Sequence, residues 1–138
     1  MELNPVGLAS AAATFFGVWL GHVSVRRIER EVERLWIPSI LALFLGITLE
    51  ILSLVAGSIA GSAFCAILGV TLLWDAHEFY RQQHRVQNGR APANPQNPRH
   101  AQILATYPTA TTNDWLDREP CGAPVSTDDL LELEGQAR

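Results

Sequence analysis

The sequence predicts an all-α membrane protein with three transmembrane helices, an amphipathic cytoplasmic connection and a mostly irregular C-terminal tail. The first observation is that only 17% of the 138 residues are charged, against about 25% in a typical soluble domain. The second is that residues 5–80 are strongly apolar, whereas residues 88–138 are polar. The third is that the apolar region contains stretches long enough to cross a bilayer. Together these observations exclude a single soluble globule, a disulfide-stabilised scaffold and a collagen-like repeat.

The spans follow from the distribution of charge. Residues 5–25 contain no charged side chain, and residues 35–74 contain only Glu50. The second stretch would extend roughly 60 Å as one helix, twice the thickness of the hydrocarbon core. Its middle, Ala-Gly-Ser at residues 56–58, suits a tight turn. The first span is not expected to be a cleaved signal peptide, because the residues before it are not basic. The predicted spans, which form a membrane region over residues 1–87, are about 5–25, 36–56 and 58–79.

The arginines predict the orientation, because positively charged residues favour the cytoplasmic side of a membrane. Those of the membrane region follow either the first span or the third. They are Arg26, Arg27, Arg30, Arg34, Arg81, Arg85 and Arg90. The other two flanking segments contain no arginine and no lysine. We therefore expect a multi-pass protein of the cytoplasmic membrane, with the N-terminus outside and the tail in the cytoplasm.

Two ladders of small residues predict close helix packing, because helices in lipid associate where small side chains let the backbones approach. Each ladder repeats every four residues along one helix face. The ladder of the first span is Ala9, Ala13, Gly17 and Gly21, and the ladder at the third is Gly57, Gly61, Cys65 and Gly69. The ladders either pack spans one and three together within the chain, or one of them faces a second copy or a larger complex.

A second group of candidates consists of ionisable residues in or near the spans. Glu50 is a functional candidate for an ion or proton path, or for pairing with a partner's cation, because a carboxylate at membrane depth is costly. The alternative is a carboxylate that reaches the headgroup region. His22, Asp75, His77 and Glu78 are predicted near the cytoplasmic face. Of these, His22, Asp75 and Glu78 would form a proton relay or metal site. The alternative is interfacial hydrogen bonding and pairing with Arg26 or Arg81.

The helices are expected to extend beyond the spans. Val25, Ile28, Val32 and Leu35 recur at intervals of three and four between charged residues. This pattern predicts an amphipathic helix that lies on the membrane surface or continues the first span. The third helix is expected to continue to Asn88-Gly89, a natural stop signal.

The remaining sequence divides into a linker and a tail. Residues 88–100 are rich in proline and asparagine and predict an extended linker. Residues 101–138 form the cytoplasmic tail, in which Ser126 and Asp129 predict a capping box that opens a short acidic helix over about 128–135. The tail is expected either to be solvated or to fold on a soluble partner. The residues expected to contact that partner are Trp115, Leu130, Leu131 and Leu133.

No recognisable chemistry accompanies these features. The net charge of −4 argues against nucleic acid, since phosphate contacts need a basic surface. The sequence shows no nucleophile at a recognisable distance from a base, no phosphate-binding glycine loop and no zinc-ligand spacing. Cys65 and Cys121 lie in different compartments of the predicted topology and are not expected to pair. We therefore predict no catalytic residue, cofactor, metal or soluble substrate.

A series of short motifs runs through the membrane region and just beyond it. They are Phe15-Phe16-Gly17, Gly21-His22, Glu29, Leu68-Gly69, Leu73-Trp74, Glu78-Phe79, Arg85-Val86, Gly89, Pro92 and Asn94-Pro95. With these motifs the chain resembles a family of small bacterial membrane proteins of unknown function. The resemblance covers about residues 5–95, with Val23 standing where the family pattern has a proline, and residues 96–138 extend beyond it. It implies an integral membrane protein of a bacterial inner membrane and supplies no activity or cofactor. The residues that it singles out are His22, Glu29, Trp74 and Glu78.

The leading functional hypothesis is a non-enzymatic accessory or scaffolding subunit that binds the lipid bilayer and other membrane-protein subunits or itself. The alternative is a homo-oligomeric ion or proton transporter or channel that uses Glu50. Self-assembly is required in the second case because three spans cannot enclose a pore alone.

Overall fold

The computed structural model describes residues 3–114, and within that range the chain forms four α-helices and no strand. The helices are α1 (Pro5–Glu31), α2 (Trp36–Val55), α3 (Ile59–Gln87) and α4 (Pro98–Thr106). The predicted acidic helix at residues 128–135 lies outside the described residues. So do the predicted partner contacts Trp115, Leu130, Leu131 and Leu133.

Three of the helices are long and apolar enough to cross a membrane. α1, α2 and α3 contain 27, 20 and 29 residues. At about 1.5 Å per residue, α2 matches the ~30 Å hydrocarbon core, whereas α1 and α3 are about 40 Å long and extend past it. The predicted fold class, an all-α membrane protein with three transmembrane helices, is confirmed.

α3 is the central helix, since it contacts both α1 and α2. An apolar cluster is formed by Val25, Leu35, Ala42 and Phe79, where all three long helices meet. This cluster lies at the end of the bundle that carries the C-termini of α1 and α3, which we call the arginine-rich end after the seven arginines of residues 26–34 and 81–90. Away from it, large apolar side chains point outward, as a lipid environment requires.

The buried face of α1 repeats every four residues without interruption. Ala13, Gly17, Gly21, Val25 and Glu29 are all buried. α1 runs continuously to Glu31, so the amphipathic segment after the first span extends that span.

α2 and α3 cross at two glycines. A Cβ atom added to Gly46 would lie 3.0 Å from the carbonyl oxygen of Gly69, and one added to Gly69 would lie 3.1 Å from the carbonyl oxygen of Gly46. Real Cβ atoms are rarely that close to backbone, so the crossing depends on glycine at both positions.

α3 ends in a Schellman motif. Gly89 N–H donates to the carbonyl of Val86, and Arg90 N–H donates to the carbonyl of Arg85 at 2.8 Å. Gly89 has φ +66°, the left-handed conformation that this motif needs. The sequence signal Asn88-Gly89 therefore marks the end of α3.

The chain beyond α3 differs from the extended linker that the sequence predicts. Ala91 and Ala93 pack with Val86 of α3 and Ile103 of α4 in a second apolar cluster, and Asn94 and Asn97 are also buried. The sequence analysis did not predict α4. We call residues 88–114 the cap, because they cover the arginine-rich end of α1 and α3.

Candidate functional site

Glu29 and His100 are two of the bulkiest fully buried side chains, and they contact each other. Glu29 is 1% exposed and His100 is 0% exposed. The Nε2 atom of His100 lies 3.0 Å from Oε1 of Glu29, and Nη1 of Arg99 donates to the same oxygen at 2.9 Å. Nη2 of Arg99 also donates to the backbone carbonyl of Glu29. We call Glu29, Arg99 and His100 the buried ion cluster.

The hydrogen bonds fix the tautomer of His100. The backbone N–H of Asn94 donates to Nδ1 of His100 at 2.9 Å. Because a backbone amide can only donate, Nδ1 carries no proton and the ring proton is on Nε2. Nε2–H therefore donates to Oε1 of Glu29. Nη2 of Arg99 lies 3.0 Å from Nε2 and is a second donor to Glu29, through its backbone carbonyl. Arg99 balances the charge of Glu29, which makes its burial tolerable.

The cap also satisfies the C-terminal end of α1, where a helix leaves carbonyl groups without partners. Nδ2 of Asn97 donates to the carbonyls of Arg30 at 3.1 Å and Val32 at 3.2 Å. Nε of Arg99 donates to the carbonyl of Val32 at 3.3 Å. A guanidinium at this position also interacts favourably with the negative end of the helix dipole.

The local sequence explains why these side chains reach α1. Asn97 is the N-cap of α4, where its Oδ1 accepts the backbone N–H of Arg99 at 3.0 Å. Pro98 occupies the first helical position, where a missing N–H is harmless. Asn97 therefore starts α4 and binds the end of α1 at once, which places Arg99 and His100 in the first turn of α4 against Glu29.

The buried ion cluster attaches the cap to α1. Glu29 is almost inaccessible and is occupied by two donors, so it joins the cap to α1 instead of meeting a soluble ligand. Sequence reasoning identified Glu29 only through the family resemblance and missed Arg99, His100 and Asn97. These three residues stand in a proline-rich stretch without periodicity.

The four ionisable residues predicted near the cytoplasmic face are only partly brought together. Glu78 is held by Arg85 at 2.6 Å and by Arg81 at 3.4 Å. His77 is exposed and contacts the edge of the Trp74 ring. Within residues 3–114, no three His, Cys, Asp or Glu side chains are arranged to hold a metal ion.

The other two members lie along the seam between α1 and α3. A Cβ atom added to Gly21 of α1 would lie 2.9 Å from Oδ2 of Asp75, so the glycine makes room for this carboxylate. His22, the next residue of α1, is exposed.

Glu50 is directed at α3. Its Oε1 atom is buried and has no hydrogen-bond partner among the described residues. The same atom lies 2.7 Å from the position of a Cβ added to Gly69. Gly69 therefore provides the space in which the carboxylate lies.

The two small-residue ladders have different environments. In the α1 ladder, Ala9 is half-buried and Ala13 is buried. Gly17 lies against Leu68 and Thr71 of α3, and Gly21 lies against Asp75. Gly17 and Gly21 thus pack on residues of α3 that lie outside the α3 ladder.

Among the glycines of the α3 ladder that the structure describes, Gly69 is the one that meets another helix, which is α2. No atom lies within 4 Å of a Cβ added to Gly57, and only the adjacent Ser58 lies near Gly61. Cys65 is half-exposed. No other described helix therefore lies within 4 Å of an added Cβ at Gly57, just before α3, or at Gly61. We call Gly57, Gly61 and Cys65, which continues their repeat, the open ladder.

These features define a small multi-pass membrane protein whose arginine-rich end is closed by a cap attached through a buried ion cluster. The chain belongs to the family described as "Domain of unknown function (DUF4491)", whose match covers residues 4–97. The expected family membership is thus confirmed. The match includes α1, α2 and α3 and ends at Asn97. The sequence matches no curated protein and no solved structure.

Proposed function

We propose that this chain is a non-enzymatic accessory or scaffolding subunit of a larger membrane complex. It would lie in the bacterial cytoplasmic membrane with the N-terminus outside and the tail in the cytoplasm. The observation that carries the proposal is the open ladder at the start of α3.

The surroundings of the α1 ladder can be compared with those of the open ladder. The α1 ladder is filled by Leu68, Thr71 and Asp75 of the same chain. The open ladder has the same spacing and also consists of small residues, yet no other described helix lies within 4 Å of an added Cβ at Gly57 or Gly61. Since close packing of small residues is what drives helix association in lipid, a transmembrane helix of another subunit fits the open ladder.

The cap supports the same proposal from the other end of the chain. The buried ion cluster attaches residues 88–106 to α1, so the tail leaves the membrane region from a fixed position. We propose that a tail with this fixed starting position binds a soluble partner. The residues proposed to contact the partner are Trp115, Leu130, Leu131 and Leu133.

Gentle detergent extraction from native membranes followed by native mass measurement tests this proposal. We expect an assembly heavier than the monomer, and a Gly61→Leu variant that blocks the open ladder should dissociate it. Val70→Leu is the control, because Val70 is 62% exposed and lies outside the ladder. A monomer at all protein concentrations would contradict the proposal.

Glu50 favours a second candidate, a homo-oligomeric ion or proton transporter. Its buried Oε1 has no partner among the described residues, and an unpaired intramembrane carboxylate is typical of ion and proton pathways. Liposome flux distinguishes the candidates: the transporter requires that Glu50→Gln abolish ion or proton flux, whereas equal flux from the variant and wild type would eliminate it.

A further inference from the structure

Two cavities adjoin along one side of the seam between α1 and α3. The first, which we call the seam cavity, has a volume of about 380 Å³. The second, which we call the arginine cavity, has a volume of about 600 Å³ and lies against the cap. Both are lined by His22, Arg26 and Gln82, so they meet at these residues.

The seam cavity has apolar walls at its membrane end. These walls are Gly17, Val18, Gly21 and Val25 of α1 with Trp74 of α3. Thr71 of α3 lies against Gly17 and Asp75 lies against Gly21. The apolar lining open to a ligand is therefore mainly Val18, which is 50% exposed, and Trp74, which is 57% exposed. A hydrocarbon chain fits such a groove between two membrane helices, since it contacts apolar surface along its length.

The arginine cavity is lined by three cations of α1 that are not neutralised. Arg26, Arg27 and Arg30 line it, and none of them forms a salt bridge with another described residue. Glu29 stands among them in the sequence, but Arg99 and His100 bind its carboxylate. Glu29 therefore does not cancel the charge of these arginines.

The carboxylates around the two cavities do not cancel this charge. Glu29, Glu31 and Asp114 also line the arginine cavity. Because Arg99 pairs with Glu29, two further carboxylates stand against the three arginines, and one positive charge is in excess. In the seam cavity, Glu78 is paired with Arg81 and Arg85. Asp75 also lines the seam cavity, where its carboxylate disfavours an anion. A negatively charged group would therefore bind in the arginine cavity.

We propose that one anionic phospholipid occupies both cavities, with its phosphate on Arg26, Arg27 and Arg30 and one acyl chain in the seam cavity. The cavities meet where α1 changes from apolar to charged sequence, which is the level of the headgroups. The exposed ring of Trp74 marks the same level. A soluble anion would use only the arginine cavity and an uncharged lipid only the seam cavity, whereas an anionic phospholipid complements both. This binding does not depend on the accessory role, because it requires no second protein.

The test measures binding of phosphatidylglycerol and phosphatidylcholine to the full chain in a non-ionic detergent by native mass spectrometry. We expect retention of phosphatidylglycerol over phosphatidylcholine. The triple variant Arg26→Gln, Arg27→Gln, Arg30→Gln should weaken phosphatidylglycerol binding about a hundredfold, from roughly fivefold per arginine. The control, Arg34→Gln with Arg90→Gln, changes two arginines outside the cavity lining and should leave binding unchanged.

A second variant pair tests the acyl-chain site. Val18→Trp should fill the seam cavity and weaken phosphatidylglycerol binding about tenfold, as expected when several buried CH₂ groups lose their contacts. Leu20→Trp is the control, because Leu20 is exposed and does not line the cavity. An unchanged melting temperature confirms that each variant folds.

Three results would overturn the proposal. Equal retention of the two lipids would show that the arginines do not select the ligand. Displacement by millimolar inorganic phosphate, together with normal binding by Val18→Trp, would indicate a soluble anion. Binding that appears only after removal of residues 115–138 would show that this acidic segment occupies the arginine cavity in the full chain.

Discussion

Glu29 of α1 and His100 of α4 are joined by a 3.0 Å hydrogen bond across 71 residues of sequence, and both side chains are almost completely buried. This contact makes the segment after the third span part of the folded membrane domain. Arg99 and His100 are the partners of the Glu29 carboxylate, so Glu29 does not pair with the arginines beside it in α1.

The buried ion cluster should be the main attachment of the cap. Glu29→Gln keeps the shape of the side chain but removes the charge that balances Arg99, whose side chain is 15% exposed. We expect this to weaken attachment by about 3 kcal/mol and to raise amide hydrogen exchange across residues 88–106. The exposed Glu33 provides the control Glu33→Gln. Equal exchange in the two variants would show that the cluster does not hold the cap.

The burial of Glu29 follows from a repeat in the sequence, whereas its partners do not. The four-residue repeat that begins at Ala9 continues through Gly21 and Val25 to Glu29, so extending the small-residue ladder by two steps would have predicted its position on the buried face. The sequence does not identify its partners, because Arg99 and His100 reach it through a contact between distant segments that has no periodicity.

The α2–α3 crossing gives a second prediction. Gly69→Ala should lower the free energy of unfolding by about 1–3 kcal/mol, because the new methyl group would meet the Gly46 carbonyl and Glu50. The control Gly57→Ala should change it by less than about 0.5 kcal/mol, since nothing lies within 4 Å there. Thermal unfolding in detergent measures both. Similar melting temperatures for the two variants would contradict the described crossing.

Gly89 gives a third prediction. With φ +66°, Gly89→Ala places a side chain in the left-handed region at a cost of about 1–2 kcal/mol. The methyl group would also meet the Thr109 carbonyl. We expect a lower melting temperature and faster exchange over residues 85–93. Gly7→Ala is the control, because its surroundings in α1 are open. A wild-type melting temperature for Gly89→Ala would contradict this account of the end of α3.

The end of α3 and the cap show where sequence reasoning succeeds and stops. Asn88-Gly89 is a local signal, and α3 ends there. The cap depends on Asn97, whose side chain both starts α4 and binds carbonyls of α1, and such a double role has no local signature. A proline-rich composition alone suggested an extended linker over residues 88–100. Gly46 was missed because it stands alone in α2 without a repeat.

The orientation can be tested with a native cysteine. In a Cys65→Ala background, Cys121 is the remaining cysteine. A membrane-impermeant maleimide should label it only after the cells are disrupted, because the arginines predict a cytoplasmic tail. Adding Leu3→Cys to a Cys121→Ser version should reverse the result. Labelling of Cys121 in intact cells would require the opposite orientation.

Cross-linking from the open ladder in native membranes tests the proposed subunit role most directly. In a Cys121→Ser background, Cys65 is modified with a benzophenone maleimide. The membranes are then irradiated, and the cross-linked products are separated by mass. The account predicts an adduct with a second polypeptide. This adduct should disappear in the Gly61→Leu variant. It should also be absent when the probe is attached to Val70→Cys in a Cys65→Ser background. Attachment to lipid alone from Cys65, with the polypeptide remaining monomeric, would contradict it.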